Sequence, residues 1–267
     1  AMVIKPESKV YFDVVVMDFA SLYPSIIARW NLSYETVNCA HPECKDNPLV
    51  VRTGTFTEMN TISIYGIRNG SIAPGDYDND SDLDVLVTGN GTSRIYRNMG
   101  NNIFAAQNAI LLTGISNGSS AWGDYNNDNY IDILITGLSA ANIPVSKIFR
   151  NNGNNTFTEQ TGINIRGVSG SSAAWGDYDN DGDLDILLTG ETVSSPHIKV
   201  SVIYRNNGDN TFSEQSSITL KGVDNGSAAW GDYDNDGDPD ILLSGNNSTR
   251  IYRNNGNNTF SELTGFT

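Results

Sequence analysis

A seventeen-residue string that recurs four times limits what this chain can fold into more than any other feature. It reads "AWGDYDNDGDLDILLTG" at 174–190 and "AWGDYDNDGDPDILLSG" at 229–245, with looser copies "AWGDYNNDNYIDILITG" at 121–137 and "APGDYDNDSDLDVLVTG" at 73–89. Its first Asp falls at 76, 124, 177 and 232, so the spacing is 48, 53 and 55 residues. A second string keeps step with it: "RIYRNMGNNIF", "KIFRNNGNNTF", "VIYRNNGDNTF" and "RIYRNNGNNTF". A period of this size marks modules that cannot bury their apolar faces alone and must stack on one another.

Each unit breaks into short strands. "GSAAWGDY" alternates small and aromatic residues, "DILLSG" is an apolar run, and "TRIYRN" alternates again. An Asn-Gly turn, which favours positive φ, precedes "TFSEQSSITL". No amphipathic helical period occurs across 53–267. The expectation is an all-β fold, a β-propeller of four recognisable four-stranded blades over 53–267. Residues 1–52 form a separate appendage with one strand and one helix. "TFTEMNT" at 55–61 reads as a lone outer strand, and "TFSELTG" at 259–265 is its counterpart at the other end. Propellers protect their edges by closing. Either four blades close alone, or the first fifty residues or a second chain cover the edges, so self-association is open.

The net charge of −15, from 16 basic and 31 acidic residues, argues against nucleic-acid binding and against anionic membranes. No apolar run approaches the ~18 residues of a membrane span, and "AMVIKPESKV" lacks the pattern of a signal peptide. Eighteen of the 31 acidic residues lie in the four recurring loops.

Those loops carry a definite chemistry. Alternate carboxylates in a tight turn suit Ca²⁺, which takes six to eight hard oxygen ligands, and a glycine at the sixth position permits the turn. The third unit supplies Asp177, Asp179, Asp181, Gly182, Asp183 and Asp185; the fourth supplies Asp232, Asp234, Asp236, Gly237, Asp238 and Asp240. The first has Asp76, Asp78, Asp80, Asp82 and Asp84, with Ser81 at the glycine position. The second is the poorest, with Asp124, Asn126, Asp128, Asn129, Tyr130 and Asp132, the Tyr130 position offering its backbone carbonyl. Up to four Ca²⁺ ions, one per loop, would lower the net charge from −15 to −7. The alternative is an Asp/Asn-rich turn satisfied by backbone amides and water. "GDYDNDGDLDILLTG" resembles FG-GAP or VCBS repeats, the calcium-loop blades of integrin-α-like propellers. The resemblance implies Ca²⁺ in the first hairpin of each blade and a role in adhesion or in binding protein or glycan ligands outside the cell.

Trp122, Trp175 and Trp230 recur just before the loops, with Pro74 in the fourth place. They read either as repeated packing residues or as an aromatic box for a ligand. The sequons at Asn69, Asn117 and Asn225 arise readily from Asn-rich turns, and His197 has no nucleophile nearby.

The N-terminal "VVVMDFASLYPSIIARWN" is different. A strand ending in Asp18, with Ser21 able to cap the helix that follows, is where phosphoryl-transfer enzymes place a metal ligand. "DFASLYPSIIARWNLSYETV" resembles motif A of family-B DNA polymerases. That resemblance implies a metal-binding role for Asp18 and a sugar-packing role for Tyr23. No second metal carboxylate motif and no finger helix accompany it, and one carboxylate cannot hold two metals. Cys39, His41 and Cys44 lack a fourth zinc ligand. The reading is therefore a non-enzymatic, calcium-stabilised binding or scaffold module joined to a polymerase fragment, in a natural or an engineered chimera. The alternative is a truncated polymerase.

Overall fold

Every regular element among the described residues, 62–192 and 197–264 of the computed structural model, is a β-strand. Asp18, Tyr23, Cys39, His41, Cys44 and the expected outer strand at 55–61 lie outside the described residues. Sixteen strands form four successive antiparallel units. Unit 1 comprises β1 (Ser71–Gly75), β2 (Asp84–Gly89), β3 (Thr92–Asn98) and β4 (Phe104–Ala106). Unit 2 comprises β5 (Ile115–Gly123), β6 (Asp132–Ser139), β7 (Pro144–Asn151) and β8 (Phe157–Glu159). Unit 3 has β9 (Ser169–Gly176), β10 (Asp185–Glu191), β11 (Lys199–Asn206) and β12 (Phe212–Glu214). Unit 4 has β13 (Ser227–Gly231), β14 (Asp240–Gly245), β15 (Ser248–Asn254) and β16 (Phe260–Glu262). Within each unit the strands pair in chain order, and the single pair Thr92↔Ile115 joins units 1 and 2 into one sheet.

In β6 and β10 the apolar runs are buried on both faces, whereas Leu242 of β14 is exposed. In β6, Ile133 and Ile135 join the cluster shared with unit 1, which also holds Tyr77, Leu86 and Ile95. Leu134 points the other way, into the cluster shared with unit 3 that contains Ile186, Leu188 and Tyr204. A third cluster, with Leu187, Ile203, Ile241 and Leu243, lies between units 3 and 4. Side chains alternate between faces along a strand, so units 2 and 3 each contribute to the core before and to the core after, while units 1 and 4 each contribute to one of the described clusters.

The fourth strand of each unit is shorter than the "TFSEQSSITL" run suggests. Pairing ends at Glu214, where Gln215 N–H turns back to Ile203 O at 2.9 Å. The remaining apolar residues leave the sheet: Ile218 and Leu220 pack into the cluster between units 3 and 4, as Ile110 and Leu112 do between units 1 and 2. The segment crossing from one unit to the next thus seals the junction it crosses.

The recurring tryptophan settles as a packing residue. Trp122 of unit 2 stacks on Tyr77 of unit 1, with centroids 6.2 Å apart and ring planes 9° apart, and Phe157 closes the triad. Tyr125, Trp175 and Phe212 repeat this arrangement, as do Tyr178, Trp230 and Phe260. Trp122 Nε1–H also donates to Ala73 O at 3.0 Å. Each aromatic pair contributes about 0.5–1.5 kcal/mol beyond its area burial. The indole reaches its partner only because the facing residue has no side chain. A Cβ on Gly123 would meet Trp175 at 2.6 Å, whereas a Cβ on Gly231 would meet nothing within 4 Å among the described residues. Gly123→Ala is therefore expected to destabilise the protein by about 1–3 kcal/mol in urea unfolding, while Gly231→Ala leaves the midpoint within about 0.5 kcal/mol. Equal losses at the two positions would refute this account of the junction.

Candidate metal centre

Each acidic loop joins the first strand of a unit to its second, and the backbone closes around its first aspartate. Asp177 Oδ1 accepts from Asp181 N–H at 3.0 Å and its Oδ2 from Gly182 N–H at 2.9 Å. Asp76, Asp124 and Asp232 accept the corresponding pairs of bonds. The sixth position is left-handed in every loop: φ is 91° at Gly182, 93° at Gly237, 73° at Ser81 and 68° at Asn129. Glycine tolerates this backbone freely and asparagine does so at modest cost.

The ninth position is the buried anchor. Asp185 Oδ2 accepts from Tyr178 N–H at 3.0 Å and Oδ1 from Asn206 N–H at 2.8 Å. The same two bonds hold Asp84, Asp132 and Asp240. Burial pushes Asp132 and Asp185 up to about 7 and Asp84 up to about 6, against the pull of those N–H donors.

First, third and ninth positions converge. One carboxylate oxygen from each of Asp76, Asp78 and Asp84 lies within 4.8 Å of the others, and Asp177, Asp179, Asp185 and Asp232, Asp234, Asp240 do the same. Asp78 Oδ1 and Asp179 Oδ1 are buried without a hydrogen-bond partner among the described residues. Three hard oxygen donors, an orphaned buried carboxylate oxygen and a left-handed turn together fit Ca²⁺. In the second loop Asn126 stands at the third position, donating through Nδ2 to Asp128 Oδ2 at 3.1 Å, so only two carboxylates remain for the cluster.

The fifth and seventh positions point elsewhere. Asp80 Oδ1 accepts from Asp82 N–H and its Oδ2 from Arg97 Nη2 at 2.9 Å; these partners hold Asp80 below the usual carboxylate range. Asp181 and Asp236 pair with Arg205 and Arg253 at 2.8 Å, and Asp128 with Arg150 at 3.1 Å. Arg97 Nε also approaches Asp78 Oδ2 to 2.6 Å. At the seventh position, Asp183 Oδ1 accepts from Asn127 of the preceding unit at 2.7 Å, and Asp238 Oδ1 from Asn180 at 2.8 Å. Tyr130 lies beside Gly153, where an added Cβ would meet its ring at 2.8 Å. Sequence reasoning missed the arginines. Their signal was present: one Arg recurs in "YRN" or "FRN" at 97, 150, 205 and 253, in step with the loops.

A carboxylate that accepts two backbone N–H bonds cannot become an amide without setting one N–H against an NH₂ group. Asp185→Asn should cost about 1–3 kcal/mol. The raised carboxyls also set a pH dependence in metal-free protein. The folded state holds those protons more tightly than the unfolded chain, so their contribution to stability is present below about pH 4 and lost as pH rises through about 6–7. In chelator, the melting temperature should fall between about pH 5 and pH 8, with a shallower slope in Asp185→Asn. An unchanged slope would exclude Asp185 as a source of the pH dependence.

Comparison with known proteins gives three results. The model for DNA polymerase family B matches residues 1–65. In that region the chain is 54% identical over 54 residues to DNA polymerase 1 of Aeropyrum pernix, covering 20% of this chain and 5% of the polymerase. It is 68% identical over 38 residues to DNA polymerase 1 of Sulfolobus acidocaldarius, covering 14% and 4%. The chain thus spans under a tenth of the curated polymerases it matches. A solved chain from a study of specific recognition of non-reducing terminal N-acetylglucosamine by an Agrocybe aegerita lectin shares the fold. Its TM-score is 0.52 at 20% identity, over 75% of this chain and 53% of that one. The FG-GAP-like repeat model matches residues 76–135, 138–188, 194–243 and 232–267. With more than half of its length accounted for by that model, and with an acidic loop recurring in each of its four units, the chain belongs to the FG-GAP-like repeat family.

Proposed function

We propose that this chain is a non-enzymatic glycan-binding module. Its residues 53–267 form a β-propeller of four blades stiffened by Ca²⁺ in the acidic loops, and residues 1–52 are a polymerase palm fragment that is not an autonomous domain. The first, third and ninth residues of the first, third and fourth loops would hold the ion through their carboxylates, with backbone oxygens of the fifth and seventh residues able to add to the shell, and the second loop would offer Asp124 and Asp132 with the Asn126 amide oxygen. The bound ion supplies positive charge that offsets carboxylate repulsion within the hairpin.

The observation that carries the glycan reading lies at the other end of the strands. There the β2–β3 and β6–β7 hairpins and the segment before β1 border a cleft of about 690 Å³. Its lining includes the amides of Asn69, Asn90 and Asn142, the hydroxyls of Ser116 and Ser139, and the exposed ring of Tyr65. Amides and hydroxyls match sugar hydroxyls, and an aromatic ring offers an apolar platform with a polar edge. The Agrocybe aegerita lectin study, on terminal N-acetylglucosamine, supports looking first among glycans with that residue at the non-reducing end. A protein ligand would bind the same cleft without responding to free sugar.

Two measurements test this reading. On a glycan array the protein should bind a restricted set of glycans, and Tyr65→Ala should weaken binding by about tenfold or more; no glycan binding would refute it. Chelation should lower the melting temperature by about 5–10 °C for each saturated site lost, and Asp179→Ala should reduce that response. A melting curve indifferent to chelator would exclude Ca²⁺ as a structural ion. The polymerase reading stands on the identity of the first fifty residues to archaeal enzymes. Template-directed nucleotide incorporation that disappears in Asp18→Ala would establish it in place of the present one.

A further inference from the structure

Units 1 and 4 run in step over 65–106 and 221–262, each residue of the first matching the one 156 positions later. Tyr65 N–H donates to Tyr96 Oη at 3.1 Å and Lys221 N–H to Tyr252 Oη at 2.9 Å, so the two segments enter their units alike. The match pairs Arg68 with Asp224, Asn69 with Asn225 and Asn90 with Asn246.

In unit 4 these positions form a closed group. Asp224 is 5% exposed. One of its carboxylate oxygens accepts from Asn246 Nδ2 and from Lys199 Nζ at 3.0 Å, and the other from Asn225 Nδ2 at 2.9 Å. Asn246 Oδ1 accepts the Asp224 N–H at 2.9 Å. Two side-chain amides and a cation thus surround one carboxylate, and the chain supplies every partner.

Unit 1 keeps the two amides and exchanges the carboxylate for a guanidinium. Arg68, Asn69 and Asn90 are exposed and line the cleft between the β2–β3 and β6–β7 hairpins. A guanidinium has five N–H donors and no acceptor, so it cannot replace the carboxylate that these amides meet in unit 4. No Asp or Glu lines the cleft among the described residues, and none of them forms an ion pair with Arg68. The donors here are matched to an acceptor that a ligand must bring.

We infer that the cleft takes a glycan carrying an acidic group, a carboxylate or a sulfate ester, and that Arg68 binds this group beside the amides of Asn69 and Asn90. The inference rests on the glycan reading of the cleft and adds to it the class of sugar. A guanidinium fork meets two anionic oxygens at once. The net charge of −15 does not forbid an anionic ligand at this end. The first acidic loop precedes β2 and the cleft hairpin follows it, so the six residues of that strand separate the two by about 20 Å. Physiological salt screens exposed charges beyond about 8 Å.

Calorimetric titration of the full-length protein with two matched pairs of methyl glycosides tests it: N-acetylglucosamine against its 6-sulfate, and glucose against glucuronic acid. The acidic member of at least one pair should bind about tenfold tighter than the neutral member, and the pair that does so tells sulfate from carboxylate. Arg68→Gln should abolish that preference and leave the neutral sugar within about twofold of its parent affinity. Arg68→Lys, which keeps the charge without the fork, should restore part of it. Arg68 is exposed, so circular dichroism of both variants should match the parent. Equal affinities within both pairs, or a preference that survives Arg68→Gln, would overturn the inference and leave a cleft for neutral glycans in place. A parent that binds neither member of either pair overturns it too, and the glycan array then decides separately on the glycan reading.

Discussion

The carboxylate that ends each acidic loop is where three separate pieces of chain are tied together. Asp132 enters β6 fully buried, takes the N–H of Tyr125 from the loop and takes the N–H of Asn151 from the end of β7. Asn151 in turn sends its amide into the preceding unit, to Tyr77 O. Burying a carboxylate is costly unless its oxygens are hydrogen-bonded, and here both are. Loop shape, strand register and unit spacing therefore follow from the same side chain. The pattern recurs with Asp185, Asn206 and Tyr125, and again with Asp240, Asn254 and Tyr178.

Much of this was legible in the sequence because repetition turns single residues into patterns. The four units, their strand order, the left-handed sixth position and the poorer second loop could all be read from spacing and residue type. Geometry that depends on which way a side chain turns could not. The seventh-position Asp183 and Asp238 look like further members of the loop, yet they accept from Asn127 and Asn180 of the unit before. The fifth-position carboxylates sit between a loop N–H and an arginine more than fifteen residues away in sequence, a partnership that local spacing does not encode. Likewise the apolar tail of "TFSEQSSITL" reads as strand by composition, but burial at the junction draws it out of the sheet.

The arginines bear on what the loops can do without an ion. Arg205 lies against both Asp179 and Asp181, at 2.7 and 2.8 Å, so part of the negative charge is already answered by a residue of the same unit. These pairs are 40% exposed on the arginine side, which limits their net contribution. Their effect is geometric as much as energetic: they turn the fifth carboxylate outward and leave the first, third and ninth facing one another.

Every junction is directional, with tryptophan and asparagine reaching backwards and glycine and tyrosine waiting to receive them. A copy of unit 2, 3 or 4 inserted in the row would carry both its key and its lock, whereas unit 1, with Pro74 in place of the tryptophan, would carry only the lock. Neither neighbour would have to change, because each already fits the same surfaces. Stability in such an array is a sum over units and their nearest contacts, so the chain can lengthen by duplication without a redesigned core. The strings at 174–190 and 229–245, which differ at two positions, show how nearly alike two such units can be.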